Sequence, residues 1–196
     1  FSVRFSPSGG TFDGTSATLL LENGKEPDQI LGFLNSKVAE EFLKIISPTS
    51  TFQVGDVRKC PYFCLEIEID GVEEAINISR QDWDSRETSW DFKQNELIRF
   101  NKEGDIDTLE DAYEQYRQYW TNKFFQLLQN EEELNRQLIE IYGLQEELTP
   151  EVPLNEITIL QEELDAKKLK KKDSELKRIK LEGRNTDLPF KDKEVF

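Results

Sequence analysis

Residues Ile30–Pro61 read ILGFLNSKVAEEFLKIISPTSTFQVGDVRKCP, and the rest of the chain is interpreted from them. Ile30, Leu31, Leu34, Val38, Phe42 and Ile45 recur every three or four residues, so the spacing predicts one amphipathic helix. Lys37, Glu40, Glu41 and Lys44 fall on its other side, with Glu40 and Lys44 in the order that favours an ion pair along a helix. Ser47-Pro48 stops the helix, because proline lacks an N–H and restricts the residue before it. Thr49–Val54 then reads as a short strand. Gly55-Asp56 turns the chain, with Asp56 placed to cap a short helical turn through Arg58.

Upstream, Phe1–Ser6 alternates apolar and polar residues, the pattern of a half-buried strand. Pro7-Ser8-Gly9-Gly10 is a turn, and Thr11–Leu21 with Asp13-Gly14 reads as a hairpin closed by Asn23-Gly24. Glu26-Pro27-Asp28 starts the helix, since proline is tolerated in a first turn. Strands with an intervening helix predict an α+β class: a small α/β lobe followed by a long helical arm or helical hairpin. An excised lobe of this kind exposes strand edges that a missing partner covers.

Downstream, Tyr62–Ile69 alternates in strand fashion, Gly71 separates it from a helical Val72–Ile78, and Asp82–Phe92 mixes acids with Trp83, Trp90 and Phe92. From Asp107 to Tyr142 the helical period is clear, through Leu109, Tyr113, Tyr116, Trp120, Phe124, Leu127, Leu134, Leu138 and Ile141. Gly143 is placed to end that helix, and a break is expected near Asn130. Leu154–Leu181 reads as a second, more charged helix, with a thin seam at Leu160, Leu164, Leu176 and Ile179. The expected organisation is a lobe at 1–61, a linker at 62–106, a helical arm at 107–182 and a loose tail at 183–196.

Four blocks carry a resemblance: ILGFLNSK (Ile30–Lys37), SPTSTFQVGDVRKCP (Ser47–Pro61), SRQDWDSRETSWDF (Ser79–Phe92) and NEEELNRQLIEIYGLQEELTPEVP (Asn130–Pro153). In this order they resemble the C-terminal specificity region of adenine-specific DNA methyltransferases, in particular of the PglX-type enzymes of BREX phage-exclusion systems. The departures are Ser47, where that pattern has Asn, and Lys59-Cys60, where it has a neutral residue and Ile. The resemblance implies a DNA target-recognition segment of an adenine-N6 methyltransferase serving phage defence or restriction-modification. It implies a cytoplasmic parent that binds double-stranded DNA and holds S-adenosylmethionine in a catalytic domain outside this segment. Contacts with that domain and with other phage-defence proteins follow from the same resemblance.

Composition bears on these expectations. The 196 residues contain no methionine and open on FSVRFS, which leads us to expect a segment of a longer chain. Apolar residues are 36% and charged residues 33%, enough for a core through part of the chain only. No apolar run approaches the ~20 residues that span a bilayer, and no basic-then-apolar signal opens the chain. The family's Asn-Pro-Pro-aromatic and Gly-rich loops are absent from the sequence, so no catalytic or cofactor-binding residue is assigned and the segment is expected not to be an enzyme. With no histidine, Ser-His and Cys-His nucleophile pairs are excluded. Cys60 and Cys64 form CPYFC, which lacks the second pair or the His that zinc sites use. Two reduced, partly buried thiols are expected there and no metal site.

The net charge of −15 is unevenly placed: −1 over residues 1–65, −16 over 66–160 and +2 over 161–196. Phosphates repel the middle section, so a nucleic-acid face belongs elsewhere. The expected DNA-binding residues are Thr49, Ser50, Thr51 and Gln53, with Lys37, Arg58 and Lys59 beside them. Hydroxyls and amides hydrogen-bond base edges or phosphates, and the basic residues neutralise phosphates. The competing account gives Thr51 and Gln53 to backbone groups at a strand end and Gly55-Asp56 to a turn and cap. Two further features stay open. The tryptophans of the Asp82–Phe92 block are either a stacking platform or, with Phe92, pins that hold a linker onto neighbouring elements. The lysines at 167, 168, 170, 171 and 172 either contact phosphates or coat a solvated helix whose interspersed acids blunt the field. A different class of function, an acidic helical module that docks a partner protein or mimics DNA charge, fits the same charge partition.

Overall fold

The structure is a computed structural model that describes residues 3–4, 18–20, 27–47, 52–62, 69–104, 108–183 and 186–191. Among these residues there are seven α-helices, one 3-10 turn and no strand. Among the described residues the only paired extended residues are an isolated antiparallel bridge, Leu164 with Phe190. The expected α+β lobe is therefore corrected to a helical fold. Most of the Phe1–Ser6 strand, the Thr11–Leu21 hairpin and the Tyr62–Ile69 strand lies outside the described residues. The Thr49–Val54 strand fails on its described part. Its Thr49–Thr51 portion is outside, but Val54 opens a one-turn helix, α3 (Val54–Val57). The cause is local. The Gln53 N–H donates to Asp56 Oδ2 at 3.1 Å, so the carboxylate draws the backbone into a turn before a ladder partner is needed.

The organising helix is also two helices, α1 (Pro27–Leu34) and α2 (Lys37–Ile46). Ser36 divides them. Its hydroxyl donates to the Phe33 carbonyl at 2.7 Å and accepts the Ala39 N–H at 3.2 Å. Serine in extended backbone before a helix satisfies an orphan donor, and here that outweighs the continuous apolar period. Asn35 uses the break: its amide makes reciprocal bonds with the Val3 backbone at 2.9 and 3.0 Å.

The remaining helices are α4 (Val72–Asp84), α5 (Glu96–Gly104), α6 (Leu109–Tyr142) and α7 (Ala166–Leu181). α4 and α5 occupy much of the stretch read as a linker, residues 62–106. α6 runs without the expected break at Asn130. That side chain bonds sideways to Glu74 Oε2 at 3.4 Å, and Gln126 reaches the same oxygen at 3.2 Å. α6 ends as its sequence indicates. Gly143 has φ +69°, its N–H reaches the Glu140 carbonyl at 3.1 Å, and Leu144 N–H reaches Ile139 at 2.9 Å. This is the paired bonding of a Schellman cap.

The helix expected at Leu154–Leu181 is shortened to α7. Leu154–Glu156 is a 3-10 turn, and the β-branched run Ile157-Thr158-Ile159 stays non-helical. Asp165 then starts α7 by accepting the Lys167 and Lys168 N–H groups, each at 3.0 Å. The apolar residues of this region still reach the core: Leu154 is buried from the 3-10 turn, and Ile157, Ile159, Leu160 and Leu164 from positions outside any helix.

The chain forms two compact units, each assembled from separated stretches: Phe1–Glu73 with Glu131–Glu151, and Glu74–Asn130 with Val152–Phe196. In the first unit, α1 and α2 pack on the last turns of α6. A Cβ at Gly32 would lie 3.0 Å from Val72 and 3.5 Å from Leu134, so only glycine allows this approach without a shift. Phe33 stacks on Tyr142 at 5.9 Å, and Phe42 lies 5.5 Å from the same ring. In the second unit, α6 residues up to Asn130 carry the core. Ile78, Trp120, Phe124, Leu127, Leu160 and Leu188 form one buried cluster.

Candidate nucleic-acid interface

The structure places Gln53, Arg58 and Lys59 around α3, Gln53 as its N-cap and Arg58 as its C-cap. Gln53, Arg58 and Lys59 are exposed. Exposed Lys59 lies 3.7 Å from Oδ1 of half-buried Asp56, a long contact of small energetic weight. Lys37 begins α2 rather than joining this group. Its N–H donates to Asn135 Oδ1 at 2.9 Å and its ammonium donates to the Glu151 carbonyl. Asn135 is buried and donates in turn to the Pro150 carbonyl at 3.4 Å, so Lys37 ties the helix start to the 150–151 loop. Lys44 donates to Glu41 at 2.7 Å and pairs with Glu40 at 3.0 Å, which raises its pKa above the ordinary lysine value. Of Lys37, Lys44, Arg58 and Lys59, Arg58 alone has a side chain with neither an ion pair nor a carbonyl partner among the described residues, its backbone N–H reaching the Val54 carbonyl at 3.1 Å. Thr49, Ser50 and Thr51 lie outside the described residues.

The Asp82–Phe92 block is not held in the way the pinning account expects. Trp90 is fully open at 101% relative exposure, so its ring does not pin the segment, and Trp83 is half exposed at 51%. The block is held instead by Asp82 and Arg86. Arg86 lies 3.2 Å from Asp82 Oδ2, 3.1 Å from Glu162 Oε2 and 3.5 Å from Glu163 Oε2. Asp82, 7% exposed, also accepts the Leu160 N–H at 3.0 Å. Leu160 has φ +56°, a left-handed conformation costly for a leucine, and this bond helps to hold it. Burial pushes the Asp82 and Glu163 carboxyls above their ordinary range, against the pull of Arg86. Burial opposes the charge on Arg86, yet the three carboxylates together raise its pKa. The network joins the end of α4 to the 160–163 turn. Sequence reading did not single it out; the four-residue spacing of Asp82, in the last turn of α4, and Arg86, two residues past its end, was the available signal.

A recess of about 270 Å³ lies beside Phe124, Leu154, Ile159 and Leu169, and no ionisable side chain lines it. Cys60 is a buried free thiol whose pKa is raised by burial; Cys64 is outside the described residues. Among the described residues no group of three His, Cys, Asp or Glu side chains is placed to hold a metal ion. None of the described helices is long and apolar enough to cross a membrane.

No family model matches the chain. The chain is homologous to a segment of two adenine-specific methyltransferases. "Adenine-specific methyltransferase PglX" of Lacticaseibacillus casei (strain Zhang) is 36% identical over 162 residues, which are 81% of this chain and 14% of that protein. "Adenine-specific methyltransferase BrxX" of Escherichia coli O9:H4 (strain HS) is 34% identical over 151 residues, 76% of this chain and 12% of that protein. The matched stretch is thus a small part of each relative's length.

Proposed function

We propose that this chain is the DNA target-recognition segment of an adenine-N6 DNA methyltransferase of a BREX-type phage-defence system. The observation that carries the reading is the similarity over four fifths of the chain to PglX and BrxX. In this reading the parent acts on double-stranded DNA with S-adenosylmethionine in a catalytic domain outside this segment, and the segment itself performs no methyl transfer. The two units brace the recognition residues against that domain, in a cytoplasmic protein. The experiment exchanges this segment between two relatives that methylate different sequences and maps methylated adenines by long-read sequencing. The methylated motif is expected to follow the segment, while affinity for the methyl donor stays with the recipient. A motif that stays with the recipient rejects the recognition role.

Base and phosphate contacts are proposed at Thr49, Ser50, Thr51, Gln53, Arg58 and Lys59, with Lys37 supporting the helix before them. Replacing Arg58 and Lys59 together by alanine in the parent is expected to weaken DNA binding. The salt dependence then flattens by about one counterion per lost phosphate contact. Affinity and salt slope equal to wild type would move the DNA face away from α3. A second reading, docking of a partner protein on the acidic helices, draws support from Trp90. Its open ring sits beside exposed Glu87 and Asp91, surroundings that repel nucleic acid and suit a protein contact.

A further inference from the structure

The outer face of α7 is strongly basic, and the structure removes the reason for treating it as neutralised. Leu169 and Leu176 are buried, which fixes the inward side of the helix. Lys167, Lys170, Lys171, Ser174 and Arg178 are exposed and recur at i, i+3, i+4, i+7 and i+11, so they share the opposite side. From Lys167 to Arg178 this row is ~16 Å long at the helical rise. The side chains of Lys167, Lys170, Lys171 and Arg178 make no ion pair among the described residues. The neighbouring acids are largely engaged elsewhere. Asp165 accepts the first helical N–H groups and lies 3.7 Å from Lys168. Asp173 accepts the Leu154 N–H at 2.7 Å and lies 3.9 Å from Lys177, on the core side. Glu175 is the one acid within the helix left on the exposed side.

Resting on the recognition reading above, we propose that Lys167, Lys170, Lys171 and Arg178 form a phosphate-tracking surface that grips duplex DNA without reading its sequence. Between Lys167 and Arg178 the exposed face carries no apolar side chain. Protein interfaces centre on apolar and aromatic groups and are poor in lysine. A row of unpaired cations with a hydroxyl among them, in a chain of net charge −15, fits a polyanionic backbone instead. The surface adds affinity that is the same for every sequence, and discrimination is left to groups near α3.

The test uses the full-length protein of that reading, with Lys167→Gln, Lys170→Gln, Lys171→Gln and Arg178→Gln combined. Affinity for a duplex carrying the methylated motif and for a scrambled duplex is measured from about 50 to 200 mM salt. The salt slope is expected to become shallower by about three to four, at ~0.9 per phosphate contact, equally on both duplexes. A companion variant, Lys167→Arg, Lys170→Arg and Lys171→Arg, is expected to keep the wild-type slope, which separates lost charge from lost folding. Wild-type slope and affinity in the glutamine variant overturn the surface and leave the recognition reading standing. Loss of binding to polyglutamate with DNA binding unchanged also overturns it and assigns the face to an acidic protein. A wild-type protein that binds neither duplex overturns both.

Discussion

Trp120→Ala is expected to destabilise the second unit by about 3–5 kcal/mol, the range for truncating a fully buried large aromatic residue. Trp120 is 1% exposed, and its ring meets Tyr119 edge-on at 5.5 Å and Tyr116 at 6.4 Å. Removing it opens a cavity in the cluster that also holds Ile78, Phe124 and Leu160. It also withdraws the indole N–H that donates to Glu96 Oε2 at 3.2 Å, leaving Arg99 as that carboxylate's cation at 2.6 Å. Trp120→Phe keeps most of the volume and loses the donor, so about 1–2 kcal/mol is expected. Denaturant unfolding of the whole chain measures both. A loss below about 1 kcal/mol for the alanine variant would contradict a core organised on this ring.

Arg86→Met is the other large change, expected to cost about 3 kcal/mol at neutral pH, because it leaves Asp82 and Glu163 without their shared cation. The pH dependence has a definite sign. Both carboxyls are already raised in the folded state, with burial the first cause, and loss of Arg86 raises them further. A carboxyl with a raised folded pKa binds more protons folded than unfolded. Its contribution favours folding below the ordinary carboxylate range and is lost as pH rises through the folded value. The deficit of Arg86→Met is therefore largest at neutral pH and shrinks on acidification. Urea midpoints of wild type and variant across that range test this. A deficit that is constant with pH would show that the guanidinium acts by packing alone.

The long helix was legible because its aromatic and leucine positions keep one period from Leu109 to Tyr142, and because Gly143 can adopt positive φ without strain. The break near Asn130 was misjudged. Asparagine breaks helices when it competes for the backbone, and here its amide is held by Glu74, 56 residues away. The strand at Thr49–Val54 was misread because short apolar runs do not distinguish strand from turn, and the Asp56 bond to the Gln53 backbone decides the matter locally. The start of α7 was set too early for a similar reason. Leu154–Leu164 is apolar at nearly helical spacing, but Leu160 reverses the chain with its N–H on Asp82. At the candidate site, the neighbourhood of Gln53, Arg58 and Lys59 follows from sequence proximity. The use of Lys37 on the Glu151 carbonyl does not, since that partner is 114 residues distant. Nor does the acid engagement on α7, which depends on Leu154 meeting Asp173.

The interleaved assembly of the two units has a consequence for synthesis. The first unit takes its closing side chains, Leu134, Asn135 and Leu138 among them, from Glu131–Glu151. A chain emerging from the ribosome therefore exposes the apolar faces of α1 and α2 until residue 151 has been made. By then the first stretch of the second unit, Glu74–Asn130, is already out and still lacks Val152–Phe196. Both units are therefore open together while residues 74–151 are made, an interval in which such faces invite aggregation. A single cut anywhere in the chain removes a stretch from at least one unit, and a cut between residues 74 and 130 divides both.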